Sequence, residues 1–147
     1  MAESLRERAL RLLAHREHAR AELARKLAPH AESAEELNVL LGELCKSHLL
    51  SDERYVEMRV NARRSRYGNA RLAQELRTVG IDAGLIKETL PSADDELSRA
   101  VHIWKQKFGG FNNDFDEAER ARRVNFLTRR GFSGETIRRV LRGEHDD

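Results

Sequence analysis

Residues 76–90, LRTVGIDAGLIKETL, and residues 127–141, LTRRGFSGETIRRVL, are two copies of one pattern that lie 51 positions apart. Each copy predicts a helix end, a glycine turn and a second short helix, because glycine enters the left-handed conformation that commonly ends a helix. The apolar residue after each glycine can pack under the turn, and apolar residues four apart share a face of the next helix. The corresponding positions are Leu76 and Leu127, Gly80 and Gly131, Ile81 and Phe132, Ile86 and Ile137, and Leu90 and Leu141.

A weaker third copy lies upstream. Leu23 and Leu27 repeat the leucines that precede Gly80, but Ala31 occupies the glycine position and Pro29 interrupts the pattern. Self-similarity at this period is typical of stacked helical units that cannot each bury an apolar face alone. The alternative interpretation is one irregular helical domain that contains a chance match.

We therefore predict an all-α fold of three tandem three-helix repeat units in an elongated, curved array. The predicted repeats are residues 4–50, 51–91 and 92–142. No run of alternating β-branched residues predicts a strand. Only two prolines occur in the 147 residues, and Pro91 gives the clearest predicted boundary between repeats.

Local patterns predict how the helices begin and which faces they bury. Ser4 with Glu7, and Ser33 with Glu36, are predicted capping boxes. We expect Tyr55, Met58 (or Arg59) and Ala62 to form the inner face of the fourth helix, and Leu97, Val101, Trp104 and Phe108 that of the seventh. Phe111 is also predicted to join the core. The acids Asp94, Asp95 and Glu96 at a helix start are explained by the helix dipole.

Composition excludes several classes of protein. No apolar run approaches the roughly 20 residues that a membrane span needs, and no apolar signal region opens the chain. Cys45 is the single cysteine, so no disulfide framework is expected. No nucleophile motif or phosphate-binding loop is present, and His15 with His18 lacks further metal ligands. We therefore expect a cytoplasmic protein without membrane association, enzyme activity, metal or cofactor.

Charge is nearly balanced overall, at +2, but it is unevenly placed. Residues 59–77 contain six arginines and one acid, and residues 120–142 contain eight arginines and one acid. Guanidinium groups suit phosphate or carboxylate recognition, so the two clusters are candidate binding surfaces. The alternative is a solvated helical surface on which the arginines only aid solubility.

Helix–turn–helix geometry in the two copies raises the possibility of direct DNA reading. The helix after the first turn carries Asp82, Lys87 and Glu88, which makes it a poor groove reader. The equivalent helix of the second copy carries Arg138, Arg139 and Arg142, so it is more basic. One basic helix of two does not favour a sequence-specific repressor.

The stretch 49–81, LLSDERYVEMRVNARRSRYGNARLAQELRTVGI, resembles the central signature of the RecX family of recombinase regulators. That signature is a leucine, an acidic cap, an arginine–aromatic pair, a basic helix, a glycine and a leucine-rich helix that ends in Gly-Ile. The segment 129–133, RRGFS, is similar to the terminal pattern of the same family. The departures lie in the first repeat, where Pro29-His30-Ala31 replaces the usual glycine turn and His18 replaces a small hydroxyl residue.

The resemblance implies a bacterial regulator that binds the RecA recombinase, mainly its filament on single-stranded DNA. It implies modulation, usually inhibition, of filament ATP hydrolysis, strand exchange and cleavage of the SOS repressor. Weak direct binding of single-stranded DNA is expected as well, because arginines bind phosphates. A helical DNA-binding module without a RecA partner, and a helical interaction scaffold, stay open as alternatives. The residues expected to contact the filament are Arg59, Arg63, Arg64, Arg66, Arg71, Arg122, Arg123, Arg129, Arg130 and Arg138.

Overall fold

The computed structural model describes residues 2–110 and 114–143, and within these ranges the chain contains helices and no strand. The predicted all-α class is confirmed. None of the described helices is both long and apolar enough to cross a membrane. The α-helices are α1 (Leu5–His15), α2 (Arg20–Leu27), α3 (Ala34–Lys46), α4 (Asp52–Arg63), α5 (Asn69–Thr78), α6 (Ala83–Thr89), α7 (Ala93–Phe108), α8 (Glu117–Arg129) and α9 (Gly134–Arg142), with a short 3₁₀ helix, Ala28–His30, after α2.

Polar side chains cap most helix starts. Ser4 and Glu7 form the predicted capping box at α1, with both reciprocal hydrogen bonds present at 2.9 and 3.0 Å. At α3 only half of the predicted box forms, because Glu36 accepts from the backbone of Glu32 rather than from that of Ser33. The other caps are Ser51 for α4, Asp82 for α6, Ser92 for α7, Asp116 for α8 and Ser133 for α9.

The two glycine turns have the same geometry. Gly80 and Gly131 adopt φ of 93° and 91°, in the left-handed region where a Cβ is unfavourable. After each glycine an apolar residue, Ile81 or Phe132, donates its backbone N–H to the leucine carbonyl five residues earlier, at 3.1 and 3.2 Å. Both apolar side chains are buried. The turn that we predicted from the repeated sequence is thus confirmed in both copies.

The described chain divides into two compact bodies. The first body comprises the residues up to Arg59 together with Leu76–Thr89, and the second comprises Val60–Glu75 together with the described residues from Leu90 onward. The division passes through α4 and α5. It therefore follows packing and does not coincide with the predicted repeat boundaries, which stay a prediction.

Each body has its own apolar core. The first is built from Ala9, Leu23, Leu27, Leu40, Leu41, Leu44 and Leu50. The second is built from Leu97, Ala100, Ile103, Trp104, Leu127, Phe132, Ile137 and Val140. Large aliphatic and aromatic side chains dominate both, so burial of apolar area is the main stabilising term in each body.

Two predicted helix faces need correction. The inner face of α4 is formed by Tyr55, Val56 and Val60, whereas Ala62 is exposed and Met58 is only half-buried. In α7, Leu97 and Trp104 are buried as predicted, but Ala100 and Ile103 complete the buried face while Val101 and Phe108 lie at its border. Phe111 lies outside the described residues.

A buried histidine forms part of the first body. His18 is 1% exposed, its Nδ1 lies 3.0 Å from the carbonyl oxygen of Arg16, and its Nε2 lies 3.0 Å from Nζ of Lys26. A carbonyl only accepts and an ammonium only donates, so Nδ1 carries the proton and Nε2 accepts from Lys26. The neutral imidazole is therefore the form that this site fits.

Stability should fall when His18 is forced to take a proton. Burial lowers the pKa of His18 below its ordinary value of 6.5, although the hydrogen bond to Arg16 opposes this. The unfolded chain then takes up the proton first, so stability is full above about pH 7 and declines as the pH falls through 6.5 toward the lower folded pKa. We expect a lower urea midpoint at pH 5.5 than at pH 7.5.

The matched variant is His18→Gln, which removes the titrating group. Its urea midpoint should be lower than that of the parent at pH 7.5 but should change less between the two pH values. An equal pH response in both proteins would show that His18 does not cause the decline.

Candidate functional site

Three of the predicted arginines meet around one aromatic ring in the second body. The guanidinium carbons of Arg63, Arg66 and Arg71 lie 4.6, 5.8 and 4.3 Å from the centre of the Tyr67 ring. Each distance is within the range of a cation–π contact. Tyr67 therefore gathers guanidinium groups from α4, from the turn after it and from α5. We call this group the Tyr67 cluster.

The turn that carries Tyr67 is held from α7 by Arg99. The Arg99 guanidinium donates to the carbonyl oxygens of Arg64 and Tyr67, at 2.9 and 2.5 Å, and also to the side-chain oxygen of Asn69. Carbonyls at a helix end have no partner within the helix, so this contact replaces the missing hydrogen bonds. Only about a tenth of the Arg99 side chain is exposed, and Asp95 balances its charge at 2.8 Å.

A buried carboxylate joins the start of α5 to α7 and α9. Glu96 is 4% exposed, and its two oxygens accept from the backbone N–H of Asn69 and from the Thr136 hydroxyl, both at 2.6 Å. The helix dipole therefore does not account for Glu96, contrary to our expectation. Asp94, by contrast, keeps 89% of its side chain exposed, so the dipole explanation still suits it.

Carboxylates neutralise six of the ten predicted arginines. Arg63 and Arg71 share Glu75, and Arg64 pairs with Asp95 at 2.7 Å. In α8, Arg122 and Arg123 share Glu119, and in α9 Arg138 pairs with Glu135. The charge that these residues can offer to a partner is reduced accordingly.

Three of these carboxylates have a pKa that their arginine partners lower, and in Glu135 the main cause is the hydrogen bond from Arg138. Burial acts to raise the pKa of Asp95, but hydrogen bonds from Arg99 and Arg64 outweigh it and hold the pKa below the ordinary value of 3.8. Hydrogen bonds from Arg123 and Arg122 lower the pKa of Glu119 below 4.5. All three carboxylates are ionised at neutral pH, so their ion pairs persist there.

Arg123 is placed differently from the other predicted residues. Only 14% of its side chain is exposed, and its guanidinium lies 5.2, 4.6 and 4.4 Å from the ring centres of Trp104, Phe108 and Phe115. These contacts are those of a residue that covers an aromatic core. We therefore leave Arg123 out of the proposed interaction surface.

Three of the predicted arginines make no ion pair with a carboxylate in the part of the chain that the structure describes. They are Arg66, Arg129 and Arg130. Arg130 donates to the carbonyl oxygen of Arg66 at 3.1 Å, which brings these two together. Arg59 lies in the portion of α4 that belongs to the first body and is half-buried.

Sequence reasoning missed Tyr67 and Lys107. Lys107 is exposed near the end of α7 and lies 5.6 Å from the centre of the Phe126 ring. The only sequence signal for Tyr67 was its position between arginines, since a tyrosine before a glycine also suits a plain helix end. Among the described residues no group of three His, Cys, Asp or Glu side chains is arranged to hold a metal ion.

Comparison with known proteins identifies the family. A family model described as "RecX, second three-helix domain" matches residues 51–90, and one described as "RecX, third three-helix domain" matches residues 94–141. A protein named "Regulatory protein RecX" from Chromobacterium violaceum is 44% identical over 98% of this chain and 93% of its own length. Another of that name from Ralstonia nicotianae is 48% identical over 95% of this chain and 87% of its own length.

Solved structures agree with this comparison at the level of fold. The crystal structure of RecX from Lactobacillus salivarius superposes with a TM-score of 0.84 over 97% of this chain and 94% of its own, at 19% identity. A second crystal structure, titled "Crystal structure of regulatory protein RecX", gives a TM-score of 0.78 over 92% of this chain and 69% of its own. Two matching family models and close relatives over nearly the whole length show that the chain belongs to the RecX family of regulatory proteins.

Proposed function

We propose that this chain binds the RecA recombinase filament on single-stranded DNA and lowers its ATP hydrolysis, strand exchange and SOS co-protease activity. The observation that carries the proposal is the Tyr67 cluster, which lies within the segment that the family model matches. Guanidinium groups of this kind bind both phosphates and carboxylates, and a nucleoprotein filament offers both. We also propose a cytoplasmic location, where such a filament forms.

The three predicted repeats at residues 4–50, 51–91 and 92–142 belong to the same proposal. The segments that the family models match, 51–90 and 94–141, support the second and third repeats. A tandem array could contact more than one filament subunit, because each repeat presents its own surface. Contact with several subunits would let one bound copy affect more than one RecA molecule.

The direct test is RecA ATP hydrolysis on single-stranded DNA, titrated with this protein. We expect hydrolysis to slow at substoichiometric amounts and the protein to bind the filament more tightly than the bare strand. The double variant Arg66→Ala/Arg71→Ala should need about fivefold more protein for half inhibition, since it removes two of the three exposed or part-exposed guanidinium groups of the Tyr67 cluster. Its effect should shrink with added salt, because screening weakens the parent interaction.

A matched control removes two exposed charges elsewhere. Arg25 and Lys46 are exposed on α2 and α3 in the first body, so Arg25→Ala/Lys46→Ala changes net charge equally. This control should inhibit like the parent. If the parent leaves hydrolysis untouched and binds naked strand and filament equally, the DNA-binding module without a RecA partner becomes the better function. The arginines that lack carboxylate partners are the observation that favours that alternative.

A further inference from the structure

Two adjoining cavities in the second body share Lys107 and Phe126 as lining residues. The larger, about 350 Å³, lies between the end of α7 and the surface of α8 that carries Arg122 and Arg129. The smaller, about 190 Å³, is bordered by Arg66 and Arg130. In the part of the chain that the structure describes, no carboxylate lines either cavity.

Most of the cations around these cavities make no ion pair with a carboxylate of the described residues. Arg66, Lys107, Arg129 and Arg130 have no carboxylate partner among the described residues. Arg122 is the exception, since Glu119 lies 2.7 Å from it, yet 72% of its side chain stays exposed. Elsewhere in the second body the arginines are largely paired, so unbalanced positive charge is concentrated here. Such a site favours a ligand with several negative charges.

An aromatic side chain lies between these cations. The Phe126 ring is half-buried, with Nζ of Lys107 at 5.6 Å and the guanidinium carbon of Arg130 at 4.9 Å from its centre. Phe108 supports it edge-on, with ring centres 5.4 Å apart. Phe108 also lines the larger cavity. The concave surface thus offers an apolar wall next to its cations.

We propose that this pair of cavities binds single-stranded nucleic acid. Successive phosphates contact Arg66 and Arg130 on one side and Lys107, Arg122 and Arg129 on the other, while an unpaired base packs against the Phe126 and Phe108 walls. Sites for single strands combine a cationic groove with aromatic side chains in this way. A duplex fits less well, because its base faces are covered by stacking.

This inference rests on the proposed function for its biological role. It adds that the DNA strand is the component of the filament that this surface contacts. It differs from a site for an acidic protein segment in one respect. Carboxylates would use the cations but would have no use for the aromatic wall. The contribution of Phe126 therefore separates the two partners.

The test measures fluorescence anisotropy of a labelled thymidine oligonucleotide and of an abasic strand with the same number of phosphates. Lys107→Ala/Arg129→Ala should weaken binding to both strands about tenfold at low salt. It should also reduce the slope of log affinity against log salt by about 1.4, the value for two lost phosphate contacts on a single strand. Phe126→Leu should weaken the thymidine strand about fivefold or more and leave the abasic strand unchanged.

Arg25→Ala/Lys46→Ala again serves as the control with the same change in charge, and it should bind both strands like the parent. Phe126 is half-buried, so thermal melting by circular dichroism should accompany that variant. Lys107 and Arg129 are both exposed, so the affinity of Lys107→Ala/Arg129→Ala tests the proposal even if Phe126→Leu folds poorly. Parent-like affinity of Lys107→Ala/Arg129→Ala for the thymidine strand overturns the inference.

The filament assay distinguishes this inference from the proposed function. If the variant at Lys107 and Arg129 loses filament inhibition but keeps its affinity for the bare strand, the surface contacts protein and the inference is wrong while the function stands. If the parent binds the strand through these residues but leaves RecA hydrolysis unchanged, the function is wrong and the inference stands.

Discussion

Gly68→Ala is expected to destabilise the second body by roughly 4 kcal/mol, a loss found only for severe core defects. A Cβ at this position would lie 2.4 Å from the backbone oxygen of Gly131, 2.5 Å from its carbonyl carbon and 2.6 Å from the backbone nitrogen of Phe132. Backbone atoms cannot move aside as a flexible side chain can, so the two segments must separate.

Separation would break the hydrogen bonds that join these segments. The backbone N–H of Gly68 donates to the carbonyl of Arg130 at 2.8 Å, and that of Ala70 donates to Gly131 at 3.1 Å. The sign of the change in stability is informative as well as its size. Where alanine fits, replacing glycine commonly stabilises a protein by about 0.4–1 kcal/mol through the unfolded chain.

The measurement is urea unfolding followed by the fluorescence of Trp104, which lies in the core of the second body, and by circular dichroism, which reports the helices of both bodies. Gly42→Ala is the matched control, because a Cβ there meets no atom within 4 Å and the position lies inside α3. It should raise stability by about 1 kcal/mol, the difference in helix propensity between the two residues. A Gly68→Ala protein that unfolds at the same urea concentration as the parent would refute the backbone contact.

The repeated sequence located Gly131 but could not reveal this contact. Its pattern requires a left-handed turn at Gly80 and at Gly131, and both turns are present. Repetition reports what two segments share, whereas the approach of Gly68 to Gly131 occurs once and joins residues 63 positions apart. From the sequence, Gly68 is only the glycine between the basic helix and the leucine-rich helix of the family signature, since local propensity carries no information about a distant neighbour.

The binding surface, like the glycine contact, was predictable from the sequence only in part. Clusters of arginine were visible in the sequence, and Arg66, Arg129 and Arg130 do lie on the cationic surface. Which arginines are neutralised depends on carboxylates brought in by folding, such as Asp95 from α7 beside Arg64. Lys107 was not predicted because it lies in residues 92–119, where acidic residues outnumber basic ones, although folding places it beside Arg122 and Arg129 of α8.

Glu96→Ala is expected to cost about 3 kcal/mol, which is large for a residue in the first turn of a helix. The substitution leaves the part-buried backbone N–H of Asn69 and the buried hydroxyl of Thr136 without the acceptor that now lies 2.6 Å from each. It also leaves a void where three helices meet, and unfilled volume adds to the loss. Hydrogen bonds to a charged acceptor are stronger than neutral ones, so both contacts weigh more than average.

Two further variants separate the role of Glu96 as a buried acceptor from a simple effect of charge at a helix start. Glu96→Gln keeps an oxygen for the N–H of Asn69, and its amide can donate to Thr136 once the hydroxyl turns, so we expect a loss of only about 1 kcal/mol. Asp94→Ala removes an exposed acid from the same helix turn and should cost no more than about 1 kcal/mol. Equal losses of stability for Asp94→Ala and Glu96→Ala would show that Glu96 acts only through its favourable interaction with the helix dipole. If Glu96 joins α5, α7 and α9 through its hydrogen bonds, Glu96→Ala should lose several times more stability than Asp94→Ala, and Glu96→Gln should fall between them. That order is expected because the position of the acceptor oxygens then matters more than the charge.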